Sequence, residues 1–470
     1  MRPHLPPEAS LPVPPALYAE HQDASPPLAA LADTGIIVGP LRPAILRLAL
    51  PAVGTTLFQV LFNITDTFWV GRTLGPNALA AVSLASYTVW IMVSIGELIG
   101  VGLTAVSARR HGERNPAAAA RAAGTALWMA IGLGAIVGAG GVLALDPIFS
   151  VMGTQGEVAD LARDFLVVQL VGAVLVYGYY VVTAAFRSAG DTRTPFFLLG
   201  ASVLLNLLLD PLMILGWGPI PAMGVYGAAL ATVLTRGLSF VVGLGMLWQR
   251  GGIRLEFRLP VARTIGRIGL PTMMTGMLFS VIYIVLVRVV SSFGTPAIAA
   301  LGVGHKIEGV SYMVCIGFGL AAETLVGQNL GAGLPGRARE AGWLTVRLAA
   351  IPTLCFAALF LTVPELLASA FSSDAAIIAD TALYLRAAGV AQLAIALENV
   401  LEGGLTGAGY TLWTMAVVVG ISALRIPLAW WVAPAFGLIG IWWMLALTAI
   451  ARGAGMTALW VWGRWEHARA

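Results

Sequence analysis

Leu48–Gly71 reads LALPAVGTTLFQVLFNITDTFWVG and carries one charged side chain, Asp66. As a helix rising ~1.5 Å per residue, the run is long enough to cross ~30 Å of hydrocarbon. A carboxylate there costs about 3 kcal/mol or more, so it marks a functional site once the run is shown to be a membrane span. Composition supplies that proof. Hydrophobic residues make up 58% of the chain and charged residues 11%, whereas a soluble domain carries ~25% charged residues. Mean hydropathy is +0.86. The chain reads as an all-α polytopic membrane protein, since barrel strands would be short and alternating.

Further charge-free windows lie between Arg121 and Asp146, Asp164 and Arg187, Asp210 and Arg236, Arg267 and Arg288, and Arg425 and Arg452. They predict twelve transmembrane helices, at 41–71, 78–108, 121–145, 160–186, 194–217, 223–249, 263–292, 298–328, 339–364, 378–406, 411–434 and 437–463. Alternate connections are basic: Arg109, Arg110, Arg114 and Arg121; Arg187 and Arg193; Arg250, Arg254, Arg258, Arg263 and Arg267; Arg337 and Arg339. The others carry acids, as at Asp146, Glu157 and Asp160, or Glu365, Asp374 and Asp380. The positive-inside rule then places both termini in the cytoplasm. It also accounts for the net charge of +4 without invoking nucleic acid.

The chain is written twice. ALPAVGTTLF from Ala49 matches GLPTMMTGML from Gly269, and TLGPNALAAV from Thr73 matches SFGTPAIAAL from Ser292. SAGDTRT from Ser188 faces GAGYTLW from Gly407, and MGVYGAALA from Met223 faces FGLIGIWWM from Phe436. Six spans per copy is an even number, so both copies enter the membrane the same way up, as in transporters built from parallel repeats. The expected organisation is a proline-rich disordered cytoplasmic tail at 1–40, a six-helix lobe at 41–249, a cytoplasmic linker at 250–262, a second lobe at 263–463 and a short tail at 464–470. The first forty residues lack the basic start and apolar run of a signal peptide.

On the first helix, Thr56, Gln59, Asn63 and Asp66 recur at three- and four-residue intervals and share one stripe. On the fifth, Ser202, Asn206 and Asp210 stack at four-residue intervals. Pro211 follows and removes the amide that would otherwise bond the Leu207 carbonyl. Two carboxylates brought together in a dry interior would share a proton or recruit a cation rather than stay doubly charged. The second lobe offers Glu308, Glu323, Glu398 and Glu402, the last two on one helical face. Lys306, Arg288 and Arg425 are the bases available to pair with them.

The tandem repeat, Pro51 followed by Asp66, FRSAGDTRTP from Phe186, NLLLDP from Asn206, GVYGAALAT from Gly224 and LVGQNLGAG from Leu325 together resemble the multidrug and toxic compound extrusion (MATE) transporters. The resemblance covers the chain from about Leu41 to the last helix. It implies a two-lobed antiporter in a bacterial inner membrane, functional as a monomer, exporting small organic and often cationic compounds against protons or sodium. By the same resemblance Pro51 bends the first helix, Gln59 contacts substrate, and Asp66, Asn206, Asp210 and Thr232 hold the coupling cation; Asn63, next to Gln59 on the polar stripe, is the other substrate-binding candidate. One branch of the family uses an acid on the seventh helix for sodium. PTMMTGMLFSVIYIVLV has none, which moves the expected cation site to the first lobe and favours protons.

No cofactor or resident metal is expected beyond the coupling ion, H+ or Na+. No G-x-x-x-x-G-K-[ST] loop occurs, which argues against ATP as a partner. A lipid-linked oligosaccharide flippase is the alternative transporter; an intramembrane aspartyl protease using Asp66 and Asp210 leaves the duplication unexplained. Cys315 and Cys355 fall inside predicted helices and suggest packing rather than a disulfide. Trp430, Trp431, Trp442, Trp443, Trp460 and Trp462 read as interfacial or lipid-facing anchors.

Overall fold

The computed structural model describes residues 35–152, 156–219 and 221–468. Its helices are α1 Leu41–Leu74, α2 Pro76–Gly112, α3 Pro116–Leu143, α4 Leu145–Met152, α5 Glu157–Val171, α6 Ala173–Ser188, α7 Arg193–Leu215, α8 Gly224–Gln249, α9 Leu259–Val290, α10 Thr295–Gly331, α11 Pro335–Thr362, α12 Pro364–Ser369, α13 Ala375–Gly407, α14 Thr411–Ala423 and α15 Arg425–Trp462. Among the described residues nine helices are long and apolar enough to span a membrane, ten with the bent α5–α6 pair counted as one span. α13 is also 33 residues long but carries Asp380, Arg386, Glu398 and Glu402. The run Thr411–Trp462 breaks at Gly437, whose φ of 62° and ψ of −155° turn the chain back. Counting α13 and the two arms of that run gives the twelve spans, six to a lobe.

Two of the predicted spans are discontinuous. The fourth is α5 and α6, which meet at 49°. Gly172 sits at the break, where an added Cβ would lie 2.5 Å from the Val233 side chain of α8, so only glycine permits this approach. The eleventh is interrupted at Leu424, between α14 and α15, which leaves Arg425 at the start of a new helix inside the lobe.

The lobes exchange helix ends. Leu41, Ala44, Ile45, Leu48 and Ala49 of α1 belong to the core of the second lobe. Ile265 and Ile268 of α9 belong to the core of the first. The close approaches are made by glycine, as expected where van der Waals packing rather than hydrophobic burial holds helices together. A Cβ at Gly102 of α2 would lie 2.2 Å from the Ile265 oxygen, and one at Gly269 of α9 would lie 1.9 Å from the Leu98 oxygen.

At the end carrying the arginine-rich loops the contact is reciprocal. Gly112 approaches the Gln328 oxygen at 2.0 Å and Gly331 approaches the Arg109 oxygen at 2.1 Å, measured from an added Cβ. Gly331 stands 219 residues after Gly112, as Gln328 does after Arg109, so the repeat's pseudo-two-fold passes through this contact. Thr324 donates to the Arg187 oxygen at 3.1 Å and Gln328 to the Ser188 oxygen at 2.7 Å. Towards the other end burial falls away, with Leu61, Ile64 and Phe68 of α1 and Tyr87 and Trp90 of α2 exposed. The lobes are sealed together at the basic end, and these side chains towards the opposite end of α1 and α2 are exposed.

The edges of the lobes differ from the expected boundaries. Residues 1–34 of the proposed tail lie outside the described residues. Residues 35–40 are not tail: Ile36 is buried, and Arg337 of α11 donates to the Ile36 and Gly39 oxygens. Trp465, placed in the final tail, stacks on Trp460 at 4.2 Å and is buried. The linker ends earlier than residue 262, because α9 begins at Leu259, and Arg254 donates to the Ala120 oxygen at 2.9 Å. Trp430, Trp431, Trp443 and Trp462 are exposed as lipid-facing anchors should be, but Trp442 and Trp460 are buried in the second lobe. Both stand on the inward face of α15, which hydrophobicity alone does not distinguish from its outward face. Cys315 is buried, 3.6 Å from Thr353, whereas Cys355 is exposed.

Candidate functional site

Pro51 and Pro271 occupy matching places in α1 and α9, and each is followed by a threonine that donates back to its carbonyl at 2.9 Å. Pro51 also frees the Arg47 carbonyl, and the Thr192 hydroxyl bonds to it at 3.4 Å. Helix α1 continues through Pro51 to Leu74 without a break.

Four residues expected at a cation site converge in the first lobe. Thr232 of α8 donates to Asp66 Oδ2 at 3.1 Å, and Asn206 donates to Asp210 Oδ1 at 2.9 Å on α7. Asp66 and Asp210 lie within interaction distance of each other. Ser202, Asn206 and Asp210 are all buried, so the i, i+4 stack faces the lobe interior. Among the described residues Asp66 Oδ1, Ser202 Oγ, Asn206 Oδ1 and Asp210 Oδ2 are buried without a hydrogen-bond partner. Buried oxygens left unpaired cost ~1–3 kcal/mol each. Oxygens of carboxylate, amide and hydroxyl are the ligand set of hard cations, and a shared proton would satisfy part of it.

The α1 stripe divides. Thr56 turns to the second lobe and donates to the Met313 oxygen at 2.8 Å. Gln59 donates to Asn63 at 3.3 Å, and Asn63 is exposed, so this pair leads from the lobe interior to its surface. Gln59 also accepts from Arg236 Nη2 at 3.0 Å. Arg236 of α8 is buried and rests over the Phe62 ring at 4.9 Å and the Tyr179 ring at 5.9 Å. In the sequence Arg236 stands out only as the end of a charge-free window. The rule that singled out Asp66, an ionisable residue inside a span, applies equally to it.

Three of the second-lobe glutamates gather in one charged cluster, with Glu308, Glu402, Arg425 and Arg452 all within Coulomb reach of Glu398, while Glu323 stands apart. Glu308 accepts from Tyr384 and lies 4.0 Å from His305, while Lys306 points outward. Two residues apart on a helix, Lys306 and Glu308 occupy different faces. Glu398 pairs with Arg452 at 3.2 Å, both buried. Glu402 lies on the same α13 face and is partly buried. Glu323 sits at the seal between lobes, with Arg187 within Coulomb reach of it and of Glu97. Removing one partner of a buried pair strands a charge, at ~3–5 kcal/mol. Arg452→Met is therefore expected to lower detergent-solubilised stability by about that amount, and the double variant with Glu398→Gln to recover most of it, as read by thermal unfolding.

Two repeated six-span lobes that seal at one end, with a polar cluster inside the first, define a membrane transporter. The family model MatE matches residues 51–212 and again 271–431. A probable multidrug resistance protein NorM of Thermotoga maritima is 31% identical over 447 residues, 91% of this chain and 93% of its own length. A FAD transporter of Shewanella oneidensis is 28% identical over 75% of this chain and 79% of its own length. A solved structure described as the outward-facing conformation of a multidrug resistance MATE family transporter superposes with TM-score 0.84 at 24% identity, covering 92% of this chain and 97% of that one. The chain belongs to the MATE family of multidrug efflux transporters.

Proposed function

We propose that the protein is a secondary antiporter that exports small amphipathic organic compounds, often cationic, against an inward flow of protons or sodium ions. The observation that carries this reading is the set of partnerless buried oxygens on Asp66, Ser202, Asn206 and Asp210. Asp66, Asn206, Asp210 and Thr232 hold the coupling ion, and Gln59 and Asn63 meet the substrate. A ligand shifts a conformational equilibrium by its differential affinity for the two states. Ion binding at the cluster and substrate binding beside it therefore drive the lobe between opposite openings. The basic end faces the cytoplasm of a bacterial cell, with both termini there, and the opposite end faces outward. The names of the multidrug resistance relatives support an organic substrate. Carboxylate-rich oxygens in the first lobe support a cation cycle over flipping of a lipid-linked pyrophosphate.

The test uses proteoliposomes carrying a fluorescent cationic dye under an imposed pH gradient, an imposed sodium gradient and no gradient. Dye movement under one gradient identifies the coupling ion, and protons are expected. Dye movement under neither gradient would overturn the antiport reading.

A further inference from the structure

Arg236 places a permanent positive charge inside the lobe that would receive the substrate, one helical turn beyond Thr232 on α8. It is only 8% exposed. No carboxylate among the described residues lies within the 4.0 Å of an ion pair with it, although Asp66 is within Coulomb reach. Its protein partners are one neutral acceptor, Gln59, and the faces of Phe62 and Tyr179. A buried charge without a counter-ion is costly to keep. A site required only to attract cations would also lose affinity from it, because like charges repel at short range in a medium of low dielectric.

The surroundings hold that charge in place. Phe62, Tyr179, Leu199 and Val203 form a small apolar cluster of their own, flanked by Phe58 and Phe240. Two of these rings carry the guanidinium, and Gln59 fixes one of its five donors. The remaining donors are not among the buried atoms lacking partners, so they keep some accessible surface for a ligand to meet. From there Gln59 and then exposed Asn63 continue a polar path towards the surface. A guanidinium presented this way matches a planar carboxylate or another oxyanion in two-point fashion.

We infer that Arg236 is a specificity-determining residue that binds the anionic group of an amphipathic zwitterion. The ligand's cationic end lies towards Asp66, and its carboxylate or similar oxyanion lies on Arg236. This deepens the antiport reading and rests on it for the place of the substrate. It also keeps the sign of coupling correct: a proton or sodium ion at Asp66 and Asp210 repels the cationic end, while Arg236 supplies affinity and orientation at the other.

The test compares two dyes with one aromatic core, rhodamine B with its free carboxylate and the ethyl ester of rhodamine B. Binding is read by fluorescence anisotropy on detergent-purified protein at a single pH, so it does not depend on any ion gradient. Wild type is expected to bind the carboxylate form roughly tenfold more tightly than the ester, about the value of one charge-assisted hydrogen bond. Arg236→Gln is expected to erase or invert the preference, chiefly by weakening the carboxylate form, and Arg236→Lys to keep part of it. A purely structural arginine would alter both dyes alike. An ester preference in wild type, or a carboxylate preference unchanged in Arg236→Gln, overturns the inference. If Arg236→Gln fails to fold, Arg236→Lys decides: an undiminished ratio counts against the guanidinium, a reduced ratio for it. Absence of gradient-driven transport with the binding preference intact would count against antiport alone.

Discussion

Asp66→Asn is expected to cut gradient-driven dye movement by roughly 5- to 150-fold, the range of coupling free energies between linked sites. Asparagine keeps the size of the side chain and an oxygen for the Thr232 hydroxyl, which bonds Asp66 Oδ2 at 3.1 Å. It cannot take up or release a proton and cannot lend a charge to a bound cation. The substitution also relieves the crowding of two carboxyls in one buried place. Thermal stability in detergent should therefore be equal or higher while transport falls, a combination that a folding defect cannot produce. Asp210→Asn is expected to behave similarly, since Asp210 is fully buried beside it with Oδ2 unpartnered. Asn206→Ala should have a smaller effect, because it removes a donor and an oxygen but no charge. Wild-type transport in Asp66→Asn liposomes would reduce the carboxylate to a packing role.

Gly112→Val and Gly331→Val are expected to open the basic end and stall the cycle. An added Cβ would stand 2.0 Å from the Gln328 oxygen in one case and 2.1 Å from the Arg109 oxygen in the other. These are backbone oxygens, which cannot rotate aside, so relief requires α2 and α10 to part. Overpacking of this kind costs ~1–3 kcal/mol, enough to move a two-state equilibrium by roughly 5- to 150-fold. The cost falls on the state closed at the basic end and spares the separately packed interiors of the lobes. Ser188 is buried at this seal, where its carbonyl accepts from Gln328. In a background lacking Cys315 and Cys355, a Ser188→Cys reporter should react with a water-soluble maleimide at least several-fold faster in either valine variant. Unchanged labelling would mean that the contact does not hold the lobes together.

The first-lobe cluster was legible because its spacing is regular. Ser202, Asn206 and Asp210 step by one turn and a little, and an apolar helix with one polar stripe has only one way to bury it. Asp66 was legible as an isolated charge in a long apolar run. Thr232 came from the motif GVYGAALAT rather than from periodicity. Arg236 was missed although the same physical rule marks it, because a charge at the edge of a window reads as a boundary. The pairing of Glu398 with Arg452 rather than with Arg425 was not legible either, since both arginines stand on α15 and side-chain reach alone allows each.

By itself the sequence determined the spans, the basic and acidic sides, the duplication and the two polar stripes. Each of these follows from quantities local to the chain: transfer free energy summed over about twenty residues, loop charge, and helical period. Only the tertiary structure decided which stripes meet, which halves of α1 and α9 cross to the other lobe, and which tryptophans turn inward. It alone showed that Thr56 serves the inter-lobe contact while Asp66 serves the cluster, though both lie on one stripe. In a membrane the lipid is as apolar as the protein interior, so hydrophobicity places a helix across the bilayer without saying which face meets another helix. Close approach of backbones at glycine and the pairing of buried polar atoms make that choice, and both are properties of segments distant in sequence.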